Sequence, residues 1–389
     1  MKICILTHDF PPVIGGAQTH QYNEAKKLSE FGHKVQVITG TPTPDLKDID
    51  YSKENFNLIR LEGLKEFSKG KIGIKEIIPS LFKTVKEFNP DIIHAHGYIP
   101  FLGVCFFIKS IRAKVFFTYH ATPKLEYKRA AGVFDDFELD KSFGEFIFQY
   151  CPYEKLIACS RYYYSWAKSC GAPPSKLKLV YYGVDFDKFL SATPLERKRI
   201  GFSKDDFIIC SPGRMIPSKG VVDLIELLVF LPPNFKLFLP TSISYTKPEF
   251  KEQIMNLVKR RALENRINIL ADTFNVFDMP AAYKMSDLVV LASHVEGLGL
   301  VLIEGIAAKK PVIGTAVPGI TEVVNDGRTG LLAQPHNPKS LANAIMKLYK
   351  DRTLRKQLIE GAYLFARKKF DLTAQTKKIE KLFLDSLKK

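Results

Sequence analysis

Short β-branched runs alternate with longer amphipathic segments along the whole chain. Runs of the first kind read as strands and the segments between them as helices, a pattern that predicts repeated βαβ units and parallel sheets. The class is α/β. In the first half, strands are expected at Lys2–Thr7, Lys34–Gly40, Asn57–Glu62, Asp91–His96, Lys114–His120, Lys155–Ser160 and Leu177–Gly183. The pattern then restarts. Asp206–Pro212 (DFIICSP) reads as a buried strand followed by a glycine loop and an apolar-periodic helix, just as Lys2–Thr7 is followed by Gly15-Gly16 and a helix. Further strands are expected at Phe235–Thr241, Ile267–Ala271, Leu288–Ala292, Pro311–Thr315 and Gly330–Ala333. The polar stretch Asp185–Lys204, with Pro194, has a linker's composition. The expected organisation is a domain over 1–184, a second over 185–368 that opens with the 185–204 linker, and a terminal helix over 369–389.

Two segments stand apart. The charged and aromatic stretch between Pro123 and Tyr150 predicts a mobile loop followed by a helix, a candidate acceptor loop. In Asp371–Lys389, Ile379, Leu382, Phe383 and Leu387 recur at helical spacing against Lys377, Lys378, Lys381, Lys388 and Lys389. Such a helix either packs on the body of the protein or lies on a membrane surface.

Composition narrows the partners. The 389 residues carry 57 Lys and Arg against 41 Asp and Glu, a net charge of +16 that favours anionic ligands: nucleotides, phosphorylated sugars, nucleic acid or anionic lipid. No nucleic-acid-binding pattern accompanies the charge, so no specific nucleic-acid partner is expected. Cys4, Cys105, Cys151, Cys159, Cys170 and Cys210 form no C-x-x-C pair and read as buried thiols of a reducing cytosol. The apolar start is too short for a signal segment, and the longest apolar stretch, Tyr98–Ile108, is about half a bilayer span. The expected location is cytoplasmic, in solution or at the inner membrane face.

The chemistry concentrates in SHVEGLGLVLIEGIAAKKPVIGTAVPGI, Ser293–Ile320. Glu304 lies on a helix whose neighbours Leu300, Val301, Ala307 and Ala308 are apolar, so its carboxylate is at least partly buried and needs a hydrogen-bond partner. A ribose diol would serve, as would an arginine. Glu296 precedes that helix beside Gly297 and Gly299, at a strand's carboxyl end where helix amides can seat a diphosphate. In Gly213-Arg214-Met215-Ile216-Pro217-Ser218-Lys219-Gly220 two cations flank one turn straight after a strand, a pairing suited to a leaving diphosphate. The nearest approach to a D-x-D in the second half, Asp185 and Asp187 in GVDFDKF, lies in the linker away from these motifs, and His94 and His96 share a strand face without an apparent third ligand, so no metal and no cofactor are expected. These two, with His20 and His33, read as structural.

Taken in order, the motifs resemble one family: the retaining GT-B glycosyltransferases, in particular their large family 4. The resemblance runs through Gly15-Gly16-Ala17, FGHKVQVIT, DIIHAHG, TYHA with His120, ACSR, YYGVDFDKF, GRMIPSKG, the E-x7-E pair, PVIGT and DGRTGLL, and so spans nearly the whole chain. It implies two Rossmann-like domains facing across a catalytic cleft, the first for the acceptor and the second for the nucleotide-sugar donor, with the last helix crossing back. By position in the motifs, Glu304 would hold the donor ribose, and Glu296 with the amides around Leu298 and Gly299 would meet the sugar and diphosphate. Gly213 belongs to the same donor loop, Arg214 and Lys219 would stabilise the departing diphosphate, Gly15 and Gly16 would approach the phosphates, and His120 would lie by the reacting sugar. The chain departs from the pattern in LFLPTSISYTKPEF, where Pro240 stands and no glycine does.

The implied activity is transfer of a hexose to a glycan, lipid or small-molecule acceptor, with the departing phosphate taking the acceptor's proton. The alternative is a catalytically inactive nucleotide-sugar-binding partner subunit of the same fold.

Overall fold

The computed structural model describes residues 1–389 apart from 14, 43–45, 47–48, 69–71, 121–136, 243–245, 272–277 and 389. The candidate acceptor loop lies largely outside the described residues; the helix after it spans Phe137–Tyr150. The chain forms two compact units. One comprises the described residues up to Gly183 together with the helix Leu372–Leu387, and the other comprises Val184–Asp371.

The first unit is built on β1 (Lys2–Thr7), β2 (Lys34–Gly40), β3 (Asn57–Leu61), β4 (Ile92–His96), β5 (Lys114–Tyr119), β6 (Lys155–Ala158) and β7 (Leu177–Leu179), in the order β3-β2-β1-β4-β5-β6-β7. Every pairing is parallel, with Ile3 opposite both Val35 and Ile92. A parallel sheet covered on both faces needs near-continuous apolar strands, and Ile3, Cys4, Ile5 and Leu6 are all fully buried. β7 is shorter than the sequence predicts. Its partner β6 ends at Ala158, because Ser160 caps the next helix by accepting from the Tyr163 amide at 3.2 Å, and Tyr181 and Tyr182 pack beyond the ladder.

The terminal helix belongs to this unit. Phe383 meets Phe116 edge-on at 4.7 Å and His94 at 5.5 Å, and Glu380 accepts from His33 Nε2 at 2.7 Å. Ile379 and Phe383 are buried, while Lys377, Lys378, Lys381 and Lys388 are exposed. The heart of the apolar stripe is therefore covered by protein.

The second unit repeats the plan with β8 (Phe207–Cys210), β9 (Gly213–Arg214), β10 (Phe235–Ser242), β11 (Ile267–Ala271), β12 (Leu288–Leu291), β13 (Val312–Thr315) and β14 (Leu331–Ala333). The order is β11-β10-β8-β12-β13-β14, again all parallel, and β9 pairs with β10 beyond the end of β8. Counted from β8 and leaving out β9, this is the doubly wound order 3-2-1-4-5-6, in which ligands bind where the order reverses. That point lies between β8 and β12. No described helix is long and apolar enough to cross a membrane. All six cysteines are free thiols; Cys4, Cys159, Cys170 and Cys210 are buried, but Cys105 and Cys151 are only half-buried.

Candidate functional site

In the second unit the loops after β8 and β12 meet at the reversal point. The first runs through Gly213 and Arg214, whose pairing with β10 is reinforced by Thr241 Oγ1 donating to the Gly213 carbonyl at 2.7 Å. A short turn at Pro217–Lys219 then leads to Gly220, in the left-handed region at φ 66°. A Cβ on Gly220 would lie 2.1 Å from the Ala292 carbonyl oxygen, so only glycine lets the two loops press together there. The His294 amide donates to the Ser218 carbonyl at 2.8 Å and ties the loops further.

This contact brings the predicted charges together. Lys219 Nζ donates to Glu296 Oε2 at 2.9 Å, Ser293 Oγ donates to the same oxygen at 3.1 Å, and the Gly297 amide reaches Oε1 at 3.1 Å. Burial pushes the Glu296 carboxyl up, but Lys219 and these donors outweigh it and hold the group below the usual carboxylate range. Glu296 is an anion paired across the two loops rather than a helix cap. Gly299 occupies the cap position at φ 76°, with no side-chain bond to the helix Leu300–Ala307. The Leu302 amide donates back to the Gly299 carbonyl at 2.9 Å, while the Leu300 and Val301 amides, in the first turn, have no acceptor within the helix. Arg214 is half-buried and lines a small pocket with Ser211, Gly213, Met215, Lys219 and Thr241.

Glu304 lies farther along the helix and is buried. Its partner is Tyr283, whose hydroxyl donates to Oε2 at 2.6 Å, not an arginine. Burial dominates here and raises the carboxyl to about 7, with the Tyr283 hydrogen bond opposing it. Near neutral pH the group is thus an acceptor that binding could hold ionised.

Gly15, Gly16 and His120 lie in the first unit, at the carboxyl ends of β1 and β5. Gly15 precedes the helix Gly16–Glu30, and Gly16 is exposed. His120 is bound into a cluster the sequence did not reveal. Its Nε2 lies 3.0 Å from His96 Nδ1, and its Nδ1 faces the Tyr182 hydroxyl. His96 and His120 stack with ring centroids 5.1 Å apart, and His20 stacks on Tyr182 at 4.3 Å. Burial first, then the neighbouring imidazoles, hold His120 well below the usual histidine range, so it is neutral.

The third group beside His94 and His96 is Glu24, brought by the helix Gly16–Glu30; His94 Nδ1 lies 2.6 Å from its Oε1. The only sequence signal for it is the spacing of four from His20, which puts both on one helix face. Among the described residues two groups have the composition of a metal site: Glu24, His94 and His96, and Asp223, His294 and His336, with the ligand atoms of each within 4.8 Å of one another. Both are already knitted internally. His94 also reaches Thr118 Oγ1 at 2.7 Å, and His294 Nε2 lies 2.7 Å from Asp223 Oδ2.

Comparison with known proteins places this geometry in context. Residues 193–365 match the family model described as glycosyl transferases group 1, and residues 14–188 match glycosyltransferase family 4. An uncharacterized glycosyltransferase of Methanocaldococcus jannaschii is 25% identical over 375 residues, covering 93% of this chain and 92% of the relative. The N-acetyl-alpha-D-glucosaminyl L-malate synthase of Bacillus anthracis is 25% identical over 385 residues, covering 97% and 96%. Among solved structures, Anabaena HepE in complex with UDP and glucose superposes with a TM-score of 0.81 at 20% identity, covering 99% of this chain and 100% of that one. Sucrose-phosphate synthase of Thermosynechococcus elongatus gives 0.84 at 20% identity, covering 99% of each.

Proposed function

We propose, from the premise that the chain belongs to the glycosyltransferases of group 1 and family 4, that it moves a hexose from a nucleotide diphosphate sugar to an acceptor with retention of anomeric configuration. Its fold is the α/β GT-B fold of its structural neighbours. The observation that carries the reading is the junction after β8 and β12, where Arg214 and the Lys219–Glu296 pair at 2.9 Å lie beside the amides that open the helix Leu300–Ala307. Two cations and a helix N-terminus can take up the charge of a departing diphosphate without rearranging as it develops.

In this reading Glu304 accepts from the donor ribose, and the Glu296 loop, with the Leu298 and Gly299 amides, meets the sugar and diphosphate. The departing phosphate oxygen takes the acceptor's proton, so no protein base and no metal is required in the transfer step. Gly15, Gly16 and His120 take their assignments from the family motifs. Uridine is supported as the donor base by the neighbour that binds UDP-glucose, and the acceptor is a lipid phosphate at the inner membrane face or a soluble sugar.

The test is turnover of UDP-, GDP- and ADP-linked glucose, mannose and N-acetylglucosamine, with the anomer first released or transferred read by NMR. An α-linked donor should give the α product first, and Arg214→Ala should lower kcat by about a hundredfold, as loss of an oxyanion donor does. A β product first, or near-normal turnover in Arg214→Ala, would overturn the mechanism. Tight nucleotide-sugar binding without turnover would favour a non-catalytic partner subunit.

A further inference from the structure

The helix Gly16–Glu30 places His20 and Glu24 on one face, and β4 places His94 and His96 on one face. Where the faces meet, Glu24 is 1% exposed, and no lysine or arginine pairs with it among the described residues. A buried carboxylate must then be served by the imidazoles. His94 Nδ1 lies 2.6 Å from its Oε1, and His20 Nε2 approaches its Oε2 at 3.2 Å without hydrogen-bond geometry. His96 Nε2 is 3.7 Å from Oε1, too far for a hydrogen bond, and has no closer partner among the described residues.

We infer that Glu24 is a positioning residue for His120: acting through His96, its carboxylate holds His120 in the tautomer protonated on Nε2. An N–H dipole aimed at an anion is attracted and a lone pair is repelled, so His96 carries its proton on Nε2 and leaves Nδ1 bare. That bare nitrogen, 3.0 Å away, accepts from His120 Nε2–H, and His120 Nδ1 in turn accepts from the Tyr182 hydroxyl. Gln21 accords with this direction only with its side-chain amide reversed. Its Nε2 is placed 3.4 Å from His120 Nε2 while its Oε1 has no partner, and reversing the amide sets the oxygen against the His120 N–H.

Both nitrogens of His120 are thereby spent inside the protein, and the ring offers no lone pair to an incoming hydroxyl. This consequence rests on the proposed function, whose acceptor proton goes to the departing phosphate; the tautomer itself is a property of the ligand-free chain.

The experiment is a long-range proton–nitrogen NMR correlation on the full chain with 15N-labelled histidine. His120 and His96 should each show a protonated Nε2 and a bare Nδ1, and Glu24→Gln should abolish that preference at both. Wild-type His120 protonated on Nδ1, or unchanged tautomers in Glu24→Gln, would overturn the inference. If Glu24→Gln does not fold, Tyr182→Phe replaces it: the His120 Nε2 proton should stay, and its loss would count against the chain. In turnover, Glu24→Gln should lower kcat roughly tenfold with the donor KM unchanged, the scale on which groups that orient a functional histidine act. Unaltered kcat with scrambled tautomers would remove the positioning role. A stoichiometric divalent metal lost in Glu24→Gln would also overturn the inference, by putting an ion where the His96 proton is assigned. Absence of transfer in the wild type would count against the proposed function alone, because the NMR assignment does not depend on it.

Discussion

Two glutamates eight positions apart in the chain are held in opposite states by their surroundings. Glu296 accepts three hydrogen bonds, one of them from Lys219, and stays ionised; Glu304 accepts from the Tyr283 hydroxyl, and its burial lifts it to about 7. The sign for stability follows from the second. A group whose folded pKa exceeds its unfolded value binds more protons in the folded state, so its contribution falls as pH rises from about 4.5 through about 7. Glu304→Gln should therefore be more stable than wild type at pH 8 by about 1–3 kcal/mol and indistinguishable near pH 4.5, as read by denaturant unfolding. The same variant should bind the donor nucleotide more weakly at pH 8. Equal stability at both pH values would contradict the buried-charge account. At this scale Arg214, Lys219, Glu296 and Glu304 were legible as motif positions. Tyr283 and Glu24 were not, because only the fold brings each to its partner across 21 and 70 residues.

The elements carry these side chains through close backbone contact. The loops after β8 and β12 touch at Gly220, where a Cβ would lie 2.1 Å from the Ala292 oxygen, whereas a Cβ on Gly201, also left-handed at φ 74°, would meet nothing within 4 Å. Gly201→Ala should cost about 1 kcal/mol of backbone strain; Gly220→Ala should cost about 1–3 kcal/mol more and weaken donor binding, measured by denaturant midpoint and titration. Equal costs would show that the loops are not locked together. Strand positions were legible because parallel strands buried on both faces read as continuous apolar runs. β9 was not, since two residues, Gly213 and Arg214, carry no period of their own. The early end of β7 likewise depends on where its neighbour β6 stops.

Over the whole molecule, the restart of the pattern at Asp206 foretold a second sheet, and the second sheet repeats the order of the first over six strands, the first adding β7 at its edge. The apolar face of the last helix was equally visible, but periodicity does not say what covers it; Phe116 and His94 do. Ile379 and Phe383 are buried there and so are not offered to a membrane, whereas the net charge of +16 would attract an anionic one. If the acceptor is a lipid phosphate, the protein should co-sediment with anionic vesicles at low salt and be released at about 0.5 M salt, where screening is nearly complete. Indifference to anionic lipid would point to a soluble acceptor.

The most direct test of the central claim is calorimetric titration of the wild type and Arg214→Ala with UDP, GDP and ADP, without added metal. One diphosphate should bind the wild type well and Arg214→Ala should lose most of that affinity, if the half-buried Arg214 beside Lys219 meets the diphosphate as proposed. Equal affinity in the two proteins, or no binding of any diphosphate, would contradict that claim.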